Sequence, residues 1–196
     1  MSYTLYGSPR SRTFRVIWLL EELGVAYDHV PAKPQSDELR AVSPLGKIPV
    51  LRDGDSVIPD SSAILTYLAD KHGALTFPAG TIDRARQDAW TFRVLDEVEG
   101  LLWTAARHSF ILPEEARVPD IKPACRAEYA HNIARIAAEL PGPYLMGDTF
   151  TIADIVLTHC LTWAMNAKFP EAPPRLAAYL ETCRARPAYQ AAQSQS

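Results

Sequence analysis

The sequence predicts a small α/β sandwich followed by an all-helical half. Three observations carry that expectation. Strand-like and helix-like runs alternate over residues 1 to about 75, and an Asp-Gly pair separates two of the β-prone runs. Past Pro78 the strand signals stop and apolar residues recur at helical spacing.

In order, Tyr3-Thr4-Leu5-Tyr6 reads as a short strand and Gly7–Ser11 as a polar loop. A helix carrying Phe14, Val16, Ile17, Trp18, Leu19 and Leu20 follows and ends near Gly24, the residue type favoured just past a helix C-terminus. Tyr27–Val30 reads as a second strand, and a strand-helix-strand unit implies a right-handed crossover with parallel strands. After a looser Pro-, Ser- and Lys-bearing stretch, Leu39–Val42 reads as a helical turn. Pro49–Arg52 and Ser56–Ile58 flank Asp53-Gly54, a strong hairpin signal. Asp60-Ser61-Ser62 offers capping chemistry to a helix with Ile64, Leu65 and Leu68 on one face, which stops at Gly73.

The helical half begins within residues 72–83. Its first run is marked by Trp90, Val94, Val98, Leu101, Leu102 and Ala105, and the next by Tyr129, Ile133, Ile136 and Leu140. A third spans Thr151 to Met165; Leu176, Tyr179, Leu180 and Cys183 mark a fourth, and the tail after Tyr189 reads as frayed. Prolines fall between these runs or at their ends. The domains expected are 1–76 and 84–196.

Composition narrows the function. The 196 residues are 47% hydrophobic and 22% charged, with a formal net charge of -3, which gives no support for nucleic-acid binding. Arg175, Arg184 and Arg186 read as a solvated helix face. MSYTLYGSPR shows no basic-then-apolar leader, and no apolar run reaches membrane-helix length. Cys125, Cys160 and Cys183 are odd in number and far apart, against a disulfide scaffold or a zinc site, and the five histidines show no metal spacing; His159 reads as a core residue. A cytoplasmic, metal-free protein with neither nucleic-acid nor membrane partners is expected.

Chemistry concentrates in the first domain. The Ile48-Pro49 bond stands at a strand entry, where a cis peptide costs little and would turn the Ile48 backbone toward the open sheet end. The Asp53-Gly54 hairpin joins Pro49 to Asp60, so a helix N-terminus, with unpaired amides and the positive dipole end, should lie beside that turn. A ligand carboxylate would bind those amides and Ser61, with Asp60 on a neighbouring ammonium. One anion-binding and one cation-binding element beside an exposed peptide edge suit an amino acid or short peptide.

These residues resemble a family. "GKIPVL", with "PDSSAILTYLADK" after it so that Asp60 falls eleven residues past Pro49, is similar to the cis-proline segment and glutamyl-binding acidic-Ser pair of cytosolic glutathione S-transferases. "LYGSPRSRTFRVIWLLEELGVAY" resembles their first strand, active-site loop and first helix, above all in bacterial members. "YLMGDTFTIADI" is similar to their capping box, with Thr151 as cap and Asp154 reaching back, and "RLAAYLETCRARPAY" to their last helix. The resemblance covers essentially the whole chain. It implies a thioredoxin-like N-terminal domain, an α-helical C-terminal domain, a homodimer and detoxification chemistry. The implied reaction is attack by the thiol of glutathione, a co-substrate, on small hydrophobic electrophiles. The alternatives it leaves are glutathione-dependent isomerase or disulfide reductase chemistry, or a non-catalytic glutathione-binding protein.

The resemblance further implies that Ile48, held by Pro49, binds the cysteinyl part of glutathione through its backbone. Asp60 and Ser61 would hold the γ-glutamyl ammonium and carboxylate, and Lys47 and Gln35 the glycine carboxylate. Family members activate the thiol with Tyr, Ser or Cys from the first loop. No cysteine lies there, so a Cys-type reaction is disfavoured. Counted back from Gly24, Tyr6 matches the Tyr-type position and Ser11 the Ser-type position; Ser11 is preferred, with Ser8 and Arg10 as lesser candidates. A hydroxyl, helix amides and a nearby arginine would lower a thiol pKa from its usual ~8.5. The electrophile should lie between the domains, against Ser8 and Arg10 and against Trp103, Arg107, His108 and Phe110, with Trp163 as a further candidate.

Overall fold

A computed structural model describes residues 3–195. They divide into two compact units, one running to Thr81 and resuming at Arg184, the other spanning Ile82–Cys183.

The first unit carries a four-stranded mixed sheet in the order β2-β1-β3-β4. Strand β1 (Tyr3–Tyr6) pairs parallel with β2 (Tyr27–Val30), Tyr6 opposite Val30, as a crossover through a single helix requires. It pairs antiparallel with β3 (Val50–Asp53), Tyr6 opposite Val50. The Asp53-Gly54 turn returns the chain as β4 (Ser56–Pro59), with Val50 opposite Pro59.

Helix α1 (Thr13–Leu23) buries Val16, Ile17, Trp18, Leu19 and Leu20 completely and ends on Gly24 in the left-handed conformation. Helix α2 (Asp37–Val42) starts two residues earlier than its apolar residues announce, because Ser36 accepts the Leu39 amide and caps it. Helix α3 (Ser61–His72) buries Ile64, Leu65 and Leu68, as its spacing predicts.

The C-terminal stretch differs from expectation. It forms α9 (Pro187–Gln193), whose Tyr189 ring stands edge-on to Phe14 at 5.3 Å and to Trp18 at 4.9 Å. Tyr189 and Ala192 are buried, so neither the frayed tail nor the 84–196 boundary describes it. The C-terminal arginines are not a solvated face either. Arg186 clamps the Glu22 carboxylate of α1 with two hydrogen bonds, and Arg175, in the second unit, caps the Leu140 carbonyl. Such roles are invisible to periodicity because the partners lie 164 and 35 residues away.

The second unit is all helix apart from turns and isolated bridges among the described residues. Helix α4 (Ile82–Arg93) continues through a π-helical turn (Val94–Glu99) into α5 (Gly100–Ala106) and a second π-turn (Arg107–Ile111). Each π-turn holds more residues than an α-turn and rotates the apolar stripe. Val94, Val98, Leu102 and Ala105 therefore stay buried, while Trp90 and Leu101 are half-buried. Helix α6 (Ile121–Glu139) tolerates Pro123 in its first turn. Helix α7 (Ile152–Asn166) is buried on nearly every side over its first ten residues, and α8 (Pro174–Arg184) turns Leu176, Tyr179, Leu180 and Cys183 inward.

Candidate active site

The loop between β1 and α1 carries Ser8, Arg10 and Ser11 and packs on the Ile48-Pro49 segment. Gly7 begins the loop: its amide donates to the Val30 carbonyl at 3.1 Å, and its φ of 146° suits glycine. A Cβ there would stand 2.1 Å from the Thr13 hydroxyl oxygen and 3.2 Å from the Ile48 Cβ. The loop thus presses directly on α1 and on the Ile48-Pro49 segment. Only glycine permits that approach.

Ser11 lies two residues before the first helical residue, in a turn preceding Thr13. Its hydroxyl donates to the Ser8 carbonyl at 2.7 Å, lies 3.0 Å from the Thr13 hydroxyl and accepts the Thr13 amide at 3.2 Å. The oxygen is therefore held by α1, and rotation about its C–O bond redirects the proton. Ser8 is half-buried and its hydroxyl accepts the Arg10 amide; the Arg10 side chain is exposed.

Tyr6 takes a different direction. Its ring packs with Val42 and Ile48 against the cluster of Ala32, Leu39 and Val50, and the Arg52 guanidinium lies 5.9 Å from its centre.

The Ile48-Pro49 peptide is cis, as the sequence predicts. The Val50–Pro59 pairing sets Pro49 and Asp60 at one end of the hairpin. Asp60 caps α3 with φ 74° and ψ 127°, a positive-φ conformation outside the left-handed helical region that side chains rarely adopt. Its Oδ1 accepts the Ser62 amide at 2.8 Å and the Ala63 amide at 3.1 Å, and the residue is exposed. Two helix amides expected for a ligand are thus taken by Asp60 itself. An incoming carboxylate would be left with Ser61, and the Asp60 oxygen that takes neither amide is the one a cation could use.

Ser61 is buried, and its hydroxyl oxygen accepts from Arg15 Nη1 at 3.3 Å. A guanidinium can only donate, so the serine proton is left to donate elsewhere. Sequence reading missed Arg15, which is fully buried. The signal was its place three and four residues before Trp18 and Leu19, on the inward stripe of α1. Thr13, also fully buried, was missed for the same reason.

Gln35 has φ 66° and spends its amide on the loop, donating to the Leu45 and Gly46 carbonyls at 3.2 and 3.1 Å, while Arg40 donates to its oxygen at 2.5 Å. This draws it beside the exposed Lys47.

Within the second unit, half-buried Trp103 and exposed Arg107 lie one helical turn apart. Half-buried His108 accepts the Val118 amide on Nδ1 at 3.0 Å, which leaves its proton on Nε2; Phe110 is exposed. Trp163 stands edge-on to His159 at 6.5 Å, and His159 is half-buried, not the core residue expected. The three cysteines are free and buried. Asp154 fulfils its capping role: its carboxylate accepts the Thr151 and Leu145 amides, each at 2.8 Å, and the Tyr179 hydroxyl at 3.0 Å.

Comparison with known proteins agrees with this fold. Residues 3–76 match the model of the glutathione S-transferase N-terminal domain, and residues 82–182 that of the C-terminal domain. The chain is 32% identical to glutathione S-transferase 3 of Zea mays over 95% of this chain and 90% of that one. Among solved structures it is similar to a theta-class glutathione S-transferase of Xanthomonas axonopodis pv. citri with glutathione bound. There the identity is 30% and the TM-score 0.80, over 97% of this chain and 96% of the other. A glutathione transferase of Methylococcus capsulatus superimposes with TM-score 0.83 at 27% identity, over 98% and 97% of the two chains. The two domain matches, which together span most of the chain, and the 32% identity to the Zea mays protein place the chain in the glutathione S-transferase family.

Proposed function

We propose that the protein is a glutathione transferase whose Ser11 activates the glutathione thiol for attack on small hydrophobic electrophiles. The observation that carries this reading is the Ser11 hydroxyl, held by the Thr13 amide at the mouth of α1, on a loop that touches the cis-proline segment. The nucleophile belongs to glutathione, and the protein supplies position and electrostatics. The Ile48 backbone receives the cysteinyl part, the outer oxygen of Asp60 the ammonium, Ser61 the α-carboxylate and Lys47 the glycine carboxylate. Gln35 shapes the loop that presents Lys47. Ser11 then turns its proton from the Ser8 carbonyl to the sulfur, while Arg10 contributes positive charge from the loop. A thiol lowered by about 2 units gains roughly 2.7 kcal/mol toward the thiolate and is mostly ionised at neutral pH. Tyr6 is the rival donor, but its ring is engaged in packing.

Trp103, Arg107 and His108 are the proposed electrophile contacts of the helical domain, with Ser8 on the loop. A homodimer about a two-fold axis is the proposed assembly, as the family resemblance implies. The expected location is the cytoplasm. Retention on glutathione resin tests binding, and chlorodinitrobenzene conjugation tests turnover. Retention without turnover would mark a binding protein. Thiolate absorbance of the binary complex against pH, in Ser11→Ala and Tyr6→Phe, assigns the activator. A shift in Tyr6→Phe alone would move the role to Tyr6.

A further inference from the structure

We infer that His29, on the edge strand β2, is a positioning residue that sets the loop carrying Ser11. Its Nε2 lies 2.8 Å from the Gly7 carbonyl oxygen. A carbonyl oxygen only accepts, so Nε2 carries the proton and donates. The Gly7 amide meanwhile donates to the Val30 carbonyl. Strand β2 thus grips the Gly7 residue from both sides, its amide by backbone and its carbonyl by an imidazole.

Strand alternation explains why the ring arrives there. His29 lies two residues after Tyr27, whose hydroxyl donates to Glu21 of α1, so both side chains project from the α1 face of the sheet. Gly7 stands against the Thr13 side chain so closely that no Cβ fits, and the Thr13 hydroxyl meets that of Ser11 at 3.0 Å. Three contacts therefore run from His29 through Gly7 and Thr13 to Ser11. A loop with one of its two ties removed would spend less time with the Ser11 oxygen at the mouth of the helix. Misplacement of a reacting group by about 1 Å can cost on the order of a hundredfold in rate. The other proposed ligand contacts Asp60, Ser61 and Lys47 lie on other segments, and Ile48, which the loop touches, is held in place by the paired strand β3 that follows it and the cis bond to Pro49.

The inference rests on the reading of this loop as the thiol-activating one. Its test compares His29→Leu, which removes the donor, with His29→Gln, whose amide nitrogen can restore a hydrogen bond to Gly7. In the ligand-free protein, amide hydrogen exchange over residues 7–13 should speed up in His29→Leu and return toward wild type in His29→Gln. With glutathione and chlorodinitrobenzene, His29→Leu should lower kcat about tenfold with KM for glutathione within about twofold. His29→Gln should recover most of that loss. Unchanged exchange, unchanged kcat, or a glutamine variant no better than leucine overturns the inference. Ser11→Ala, measured alongside, separates the two failures. If it lowers kcat while His29→Leu does not, the loop reading stands and the role of His29 falls. If Ser11→Ala leaves kcat untouched, the loop reading itself is overturned.

Discussion

Each of the two units starts a helix on an aspartate-bearing cap, and the two aspartates have opposite fates. Asp60, at the start of α3, is exposed, holds two helix amides on one oxygen and has a positive φ. Asp154, in the first turn of α7, is fully buried and accepts from the Thr151 and Leu145 amides and the Thr151 and Tyr179 hydroxyls. One carboxylate keeps an oxygen outside the cap, the one proposed to meet the ligand, and sits in a conformation that costs roughly 1–3 kcal/mol. The other has its acceptor capacity consumed by the fold. The same side chain thus serves in one unit as an exposed N-cap, for which a ligand contact is proposed, and in the other as the buried acid of a capping box.

The largest expected effect breaks the buried cap. Asp154→Ala would leave two amides and the Tyr179 hydroxyl without their acceptor, at about 1–3 kcal/mol for each unsatisfied group. A loss on the order of 4 kcal/mol is expected in urea unfolding, a large share of the stability of an ordinary domain. A loss under about 1 kcal/mol would show that water replaces the carboxylate.

Next in size is Asp60→Ala, which should raise KM for glutathione about ten- to a hundredfold, equivalent to roughly 1.5–3 kcal/mol for a charge-assisted hydrogen bond. The kcat should change little, since the residue acts away from the sulfur. An unchanged KM removes Asp60 from the site.

A pH experiment sharpens the contrast further. Burial pushes the Asp154 carboxyl up to about 6, although its hydrogen-bond donors pull it down. Its folded value thus lies above the unfolded one near 4. Between those values the folded state holds a proton that the unfolded chain has lost. The stabilisation is complete below about pH 4 and is lost as pH rises through about 6. Wild type should therefore gain about 1 kcal/mol over Asp154→Asn between pH 7 and pH 5, measured as the difference in unfolding free energy. A flat difference would mean that the donors keep the carboxyl ionised.

The smallest effect separates cap from charge at the exposed site. Asp60→Asn retains an oxygen for the Ser62 and Ala63 amides, so stability should stay within about 0.5 kcal/mol of wild type. Glutathione affinity should still fall, because the ammonium has lost its anion. If affinity and stability are both retained, the site needs only the oxygen.

Local signals were enough for what neighbouring residues decide. Gly24 and Gly73 ended helices where predicted, Asp53-Gly54 made its hairpin, and apolar spacing identified α1, α3 and α6 through α8. The quoted motifs placed Ile48-Pro49 and Asp60-Ser61 at one end of the sheet, because a tight hairpin leaves little freedom in where its ends meet. Burial of Arg15 beside Ser61, the return of Tyr189 onto Phe14 and Trp18, the π-turns within α4–α5 and the His29 tie to Gly7 were not legible in that way. Each depends on a partner far away in the chain or on how a whole helix is rotated against its neighbours. The sequence by itself determined the order of elements, the turn chemistry and the identity of the polar groups at the helix starts, since those follow from preferences over a few residues. Only the tertiary structure decided which of those polar groups are buried, because burial is set by what packs on top of them.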